Sequence, residues 1–580
     1  MEAAGFALSV VAILLSIKGA IDTAVFIESC FDGSKSEYGS TALAYHIEKV
    51  RLQLWAEHCR LSDPLLNILR DRPDLIQKAV LQVLREVEHL HHEASKLLTK
   101  HKMKLPHLPG DHEDAALDAS TTAMTLITGS QGDQSSLLSS SVRQTHRVKS
   151  KIRWLIKSKP EFEKIISDLR EHNKALRDLT LTPAEARVLI HTLPCRVLPA
   201  LDNASALNAL DESGATYDPA IAFSARAKAI QKNLASSQGL GISATLIADR
   251  QLKALGGSFP DTKLLHCTDG RQIQVWVEWK VLSLGDESAQ QAKRIQSMGY
   301  LLEQVGEPVL RLPRCYGLIE DFSYMESHGA RRMGYVMGPP ISPSPRSFES
   351  NIAKYPPCSL ADLLRTQSGG MAIPLLGDRF ALAYYLASAF GLFQSTGWLH
   401  KGFQSKSILL FRGEGPDAVL SVLDPFITGF QHSRPDNENS LSHGPLEDKA
   451  TEYYYHPDAH QGFTKTRDLY SLGVVLYEIA RWNLVPDTVR PEKRKRLVNR
   501  AAWRDHMVAK ALPELGWRAG AYYQKAVGAL IQGGVLPEEG EGGDDGDYFA
   551  QQYYDKIIRP LINCDSIHWK FKDQYYAAQY

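Results

Sequence analysis

Cysteine pairs, a surplus of charge and a long apolar run are all missing from this chain. Its seven cysteines include no CxxC spacing, and their odd number and scatter over 580 residues argue against a disulfide framework or a zinc site. They suit a reducing compartment. Sixty-six Lys+Arg balance sixty-six Asp+Glu. Proteins that bind nucleic acid usually carry a basic excess, so no nucleic-acid partner is expected. Dominant disorder is excluded too, because 44% of the residues are apolar, enough to offset the entropy of ordering. The length is too great for one core and suggests about three to five domains.

Charge is scarcest at the start. Met1 to Ile17 reads MEAAGFALSVVAILLSI, with Glu2 as its only ionisable side chain. A spanning helix needs about 20 apolar residues, and this uncharged run is nearer fifteen. A secretory signal would want a positive start and a cleavage site, and neither is here. Two readings stand. One is a helix buried on nearly all sides in a bundle. The other is a segment docked at rest and inserted into a membrane on release, with Phe6, Leu8, Val10, Val11, Ile13, Leu14 and Leu15 as its apolar face.

Helical spacing continues at Leu43, Ile47, Val50 and Leu54, with Trp55 beside the stripe, and from Asp74 through Ile76, Val80, Val83, Leu84, Val87, Leu90, Ala94 and Leu97. His89, His91 and His92 are expected on the solvated face, since no carboxylate or Cys completes a ligand set. Residues 106–141 have loop composition. Arg143, Arg147, Lys149, Lys151, Arg153, Lys157 and Lys159 then interleave with Ile152, Trp154, Leu155 and Ile156. Such a stretch is either a solvated helix face or a surface for anionic lipid. Phe162, Ile165, Ile166, Leu169 and Leu176 extend the core stripe. The expected organisation is a helical bundle over 1–185, a linker with a short helix over 186–235, a mixed domain over 236–565 and a tail over 566–580.

The opening MEAAGFALSVVAILLS, the segment YHIEKVRLQLWAE and the helix KIRWLIKSKPEFEKIISDLREHN resemble, in order, the fungal HET-s/LopB (HeLo) domain. The resemblance implies an α-helical bundle that executes programmed cell death or heterokaryon incompatibility at membranes, with the N-terminal helix inserting. It also implies a protein cytoplasmic at rest and at the plasma membrane when active, self-oligomerising there with membrane lipid as partner, and an upstream receptor or signalling partner that the sequence does not identify. Some relatives carry an amyloid-forming tail; the C-terminus here, with Tyr575, Tyr576 and Tyr580, has no Gln/Asn repeat.

The second domain opens with two β-rich runs, Lys263 to Cys267 and Val275 to Lys280, around a two-residue Asp269-Gly270 turn. Helices dominate from about residue 375, clearest over Phe380 to Gly397 and Ser471 to Trp482. The order of signals resembles the bilobal α+β protein kinase fold. Val277-Glu278-Trp279-Lys280 stands at the third-strand V-A-I-K, and Tyr335 to Gly338 at the connection between lobes. His400-Lys401-Gly402-Phe403-Gln404-Ser405-Lys406-Ser407 stands at the catalytic loop, His456-Pro457-Asp458 at A-P-E, and Asp468 to Glu478, with Gly473, at D-x-W-S-x-G-x-x-L-x-E. His400, Asp468 and Gly473 are the fold-signature residues.

The chemistry of that family is missing. Gly402 replaces the catalytic base, Gln404 the loop lysine and Ser407 the metal-binding Asn. Two registers exist for the metal-binding Asp: Ile427-Thr428-Gly429-Phe430 gives Gly429, and Asp424-Pro425-Phe426 would keep a carboxylate. Lys293 and Arg294 stand where an acid should pair with Lys280, Glu287 and Glu303 only flank the place, and no phosphate-cradling glycine loop is present; Gly239-Leu240-Gly241 and Gly256-Gly257 are fragments. The resemblance therefore implies a pseudokinase: no catalytic residue, no metal, no required cofactor. Lys280 is either a residual ATP contact or a structural lysine. The alternatives are a divergent active Ser/Thr kinase using Lys280 and Asp424, or a scaffold that does not touch membranes. Glu452-Tyr453-Tyr454-Tyr455 is read as aromatic packing ahead of a phosphosite, Glu538 to Asp547 as a flexible insertion, and Lys493 to Arg496 as solvated helix.

Overall fold

The computed structural model describes residues 37–59, 61, 69, 72–100, 158–198, 201, 204–217, 219–235, 243–283, 285, 287–304, 310–340, 347–365, 373–415, 418–436, 450–536 and 546–564. The membrane-active candidates Phe6 to Leu15, the loop over 106–141, the basic stretch up to residue 157, the Glu538 to Asp545 part of the insertion and the tail lie outside them. The chain divides into two compact units, Met1–Leu193 and Pro194–Tyr580.

The first unit is helical: α1 (Glu37–His58), α2 (Asp74–Lys100), α3 (Lys159–Thr180) and the start of α4 (Pro183–Val197). In α1 the expected stripe widens into burial all round, since every residue from Tyr45 to Val50 is buried. Among its buried polar side chains, Glu48 ties α1 to its neighbours. Glu48 takes Arg170 Nε at 3.2 Å, Arg51 at 3.3 Å and Asn173 Nδ2 at 3.1 Å, pinning α1 to α3. The Trp55 indole donates to Thr180 Oγ1 at 2.8 Å. On α2, Gln77, Val80, Leu81, Leu84, Val87, His91 and Ala94 form one buried face. His91 thus corrects the expectation of a solvated triad: it falls seven residues after Leu84, on the apolar stripe, where Tyr45 hydrogen-bonds its Nδ1. His89 and His92 are exposed as expected. A capping box starts α4, with Thr182 and Glu185 exchanging bonds.

Residues 186–235 are not a linker with a short helix. They hold most of α4, then α5 (Ala204–Tyr217) and α6 (Pro219–Ala235), and the unit boundary falls at Pro194, inside α4. Nearly all of α6 from Ala220 to Gln231 is buried. Its alanine-rich sequence lacks a polar face, which is the composition of an enclosed helix.

Beyond α6 comes a five-stranded antiparallel sheet in the order β1-β2-β3-β5-β4. Its strands are β1 (Leu252–Ala254), β2 (Thr262–His266), β3 (Gln272–Val281), β4 (Arg314–Glu320) and β5 (Arg332–Gly338), with α7 (Glu287–Glu303) packed on β4. Tyr335 to Gly338 belong to β5 and not to a connection, because that run pairs along both β3 and β4. The hairpin expected before Val275 forms, but Cys267 N bonds Arg271 O at 2.9 Å, so Thr268 to Gly270 make the turn. Gly270 at φ +84 supplies the left-handed residue that such a longer turn needs.

The rest is mainly helical, with α8 (Leu376–Ser395), α9 (Lys465–Arg481) and α10 (Ala521–Ile531) at its centre. Short strands accompany them: β6 (Cys358–Ser359) beside β8 (Ile408–Arg412) and β9 (Leu420–Ile427), and β7 (Trp398–Leu399) beside β10 (Arg434–Pro435). Gly473 lets α9 and α10 touch, since a Cβ there would lie 2.9 Å from both Leu530 Cβ and Ile531 Cγ1.

Candidate functional site

Strand β3, the loop after β7 and the turn after β9 converge between the sheet and the helices. Period-two alternation puts Trp276, Glu278 and Lys280 on one face of β3. Glu278 Oε2 accepts the Gly429 N–H at 2.9 Å, and its Oε1 accepts the Trp276 indole at 3.3 Å. Burial raises this carboxyl above the usual range, while the Gly429 and Trp276 bonds favour its ionised form. Gly429, at φ +89, is the N-cap of a single 3₁₀ turn, Phe430–His432. At the end of that turn His432 Nδ1 accepts from Lys280 Nζ at 3.1 Å. Burial, reinforced by the Lys280 charge, pushes His432 down to about 3, so it is neutral and free to accept. Two side chains of β3 thus staple both ends of the turn.

The loop is held from below. Asp468, fully buried at the start of α9, accepts His400 N at 2.8 Å, Lys401 N at 2.9 Å and Gln394 Nε2 at 3.1 Å. His400 donates from Nε2 to Thr428 O at 2.9 Å and accepts Gly402 N on Nδ1 at 3.3 Å, which fixes its tautomer. Burial takes it down to about 4. Lys401 adopts φ +63, and burial first, then the Arg434, Lys280 and Arg294 charges, bring its ammonium down to about 7. Leu310, Phe393, His400 and Phe430 line a recess of only about 10 Å³ whose wall is apolar.

Gly402, Ser407 and Gly429 fall together. Ser407 Oγ donates to Gly402 O at 3.1 Å, and a Cβ on Gly429 would sit 3.0 Å from Ser407 Oγ. Asp424 is elsewhere, pairing with Arg311 at 3.4 Å, whose guanidinium also stacks on Tyr385 at 4.1 Å. Arg294 is buried on α7, and Glu303 is engaged by Thr245 N and Oγ1 at 2.7 and 2.8 Å. Tyr453, Tyr454 and Tyr455 are all buried, as packing requires, and Tyr454 Oη donates to Glu478 at 2.7 Å. Burial raises Glu478 to about 7. Sequence reasoning missed Glu278 and His432; alternation along β3 was the signal for the first, and nothing local announced the second.

Among the described residues no helix is long and apolar enough to cross a membrane, and no group of three or more His, Cys, Asp or Glu could hold a metal ion. What the units define is a helical N-terminal part followed by a mixed α/β part whose central polar groups bond one another. Residues 5–210 match the family model HeLo, described as prion-inhibition and propagation. No curated protein matches the sequence.

Proposed function

We propose that the chain is a fungal cell-death or incompatibility effector, in which the HeLo-like bundle attacks membranes and a kinase-like unit without phosphoryl transfer holds it in check. The observation that carries the reading is the staple: Lys280 is engaged by His432, and Glu278 caps the turn where a metal-binding acid would be needed. The sheet order β1-β2-β3-β5-β4 with a helix on β4, followed by a helical half, supports the kinase-like part. Gly402 and Gly429 offer no carboxylate for a base or a metal, and phosphoryl transfer depends on both. ATP is then not required. A partner or ligand that prefers another arrangement of the turn would release the bundle, which would oligomerise and move from cytoplasm to plasma membrane.

The test uses the whole chain with anionic vesicles and with ATP. Leakage that a charge at Val11 abolishes, without phosphate transfer in Mg²⁺ or Mn²⁺, is the expected result. Transfer lost in Lys280→Met would favour an active kinase instead, and intact vesicles under every condition would favour a scaffold.

A further inference from the structure

We propose that α5, α6 and residues 243–247 form a strap that ties the sheet to the helical half of the second unit and sets the arrangement of the stapled turn. The regulatory purpose rests on the function proposed above; the strap itself does not.

Five contacts carry it. Trp398, completely buried on β7 two residues before His400, donates its indole N–H to Ala227 O at 3.1 Å, midway along α6. Small side chains on α6 let that ring reach the helix backbone. One helical turn later Gln231 Nε2 meets Asp436 Oδ1 at 3.3 Å. Asp436 directly follows β10, takes Lys465 at 3.0 Å on its other oxygen and bonds Gly397 O through its N–H at 2.9 Å. Those two links grip the residues on either side of the loop and the turn.

The other three grip the sheet and the helix packed on it. Arg226, fixed on α5 by both oxygens of Asp211 at 2.8 and 2.7 Å, also donates to Gln304 Oε1 at 3.3 Å, just past α7. Thr245 then holds Glu303 on α7, and Ile247 N and Leu318 N complete a parallel bridge to β4 at 2.7 and 2.8 Å. Gly317, at φ +139, is required for this approach, since a Cβ would stand 2.3 Å from Thr245 O.

One stretch of chain, following directly on the N-terminal unit, therefore holds both halves between which the turn is stapled. By linkage, whatever favours another arrangement of 429–436 weakens the seat of α6, and displacing α6 loosens the turn by the same factor.

Hydrogen exchange of the whole chain, without membrane or nucleotide, tests this. Gln231→Ala should raise exchange about tenfold at 397–402 and 433–436, the worth of one charge-assisted bond. Arg226→Ala should do so at 299–304, and each should also raise exchange at 429–432. Changes confined to α5 and α6, or none, would overturn the strap. If Arg226→Ala loses protection everywhere, Asp211→Asn, which leaves the arginine in place, carries the same comparison. A failed vesicle assay would leave these readings untouched, so the two proposals fail separately.

Discussion

Replacing Asp468 tests the central anchor of the second unit. Its carboxylate satisfies two backbone N–H groups of the loop and the Gln394 amide, all out of reach of solvent. Asp468→Ala leaves three buried donors without an acceptor, each costing about 1–3 kcal/mol. Part is recovered, because burial already raises the carboxyl and the ionised form is held there at a cost. A net loss of about 3 kcal/mol follows for the alanine variant. Asp468→Asn keeps one oxygen but turns an NH₂ toward a backbone N–H, costing about 2 kcal/mol. Urea titration with proteolysis separates the units, so the midpoint of Pro194–Tyr580 should fall while that of Met1–Leu193 holds. Exchange at His400 and Lys401 should rise in step. An Asn variant within about 0.5 kcal/mol of the parent, typical of an uncommitted surface site, would refute the reasoning.

Three further outcomes are expected. Burial and the Lys49 charge hold His91 down at about 3 against an unfolded value of 6.5. Below pH 6.5 the unfolded state binds more protons, so the first unit should lose up to about 1.4 kcal/mol per pH unit down to about pH 3, with His91→Phe flattening the profile. Gly429→Asp would introduce a carboxylate at the turn but meets φ +89 and Ser407 Oγ at 3.0 Å; it should destabilise by about 1–2 kcal/mol, read as a lower melting temperature, and yield no phosphate transfer. Gly473→Ala should destabilise by about 1–3 kcal/mol in chemical denaturation, since its methyl would collide with α10.

Much of the outline was legible from residues. The β-rich run QVWVEWK after a turn announced β3, and the stripes of α2 and α3 announced helices, because a helical periodicity reports one buried face. Misreadings cluster where burial is all-round or polar. The Ala-rich run of α6 looked like a linker because it shows no contrast between faces, and Thr182-Pro183-Ala184-Glu185, a capping box ahead of α4, went unread. His91 looked solvated beside His89 and His92, yet its place on the stripe was in the spacing all along.

By itself, then, the sequence determined the helices of the first unit, the strands and which residues stand in the loop and the turn: Gly402, Gln404, Ser407 and Gly429 can be read off directly. Only tertiary structure decided how the remaining polar groups are used. Glu278 with Gly429, Lys280 with His432 and Gln231 with Asp436 are separated by 151, 152 and 205 residues. A local pattern records which way a side chain faces. It does not record which distant donor or acceptor will meet it, and that meeting determines whether a buried charge is tolerated.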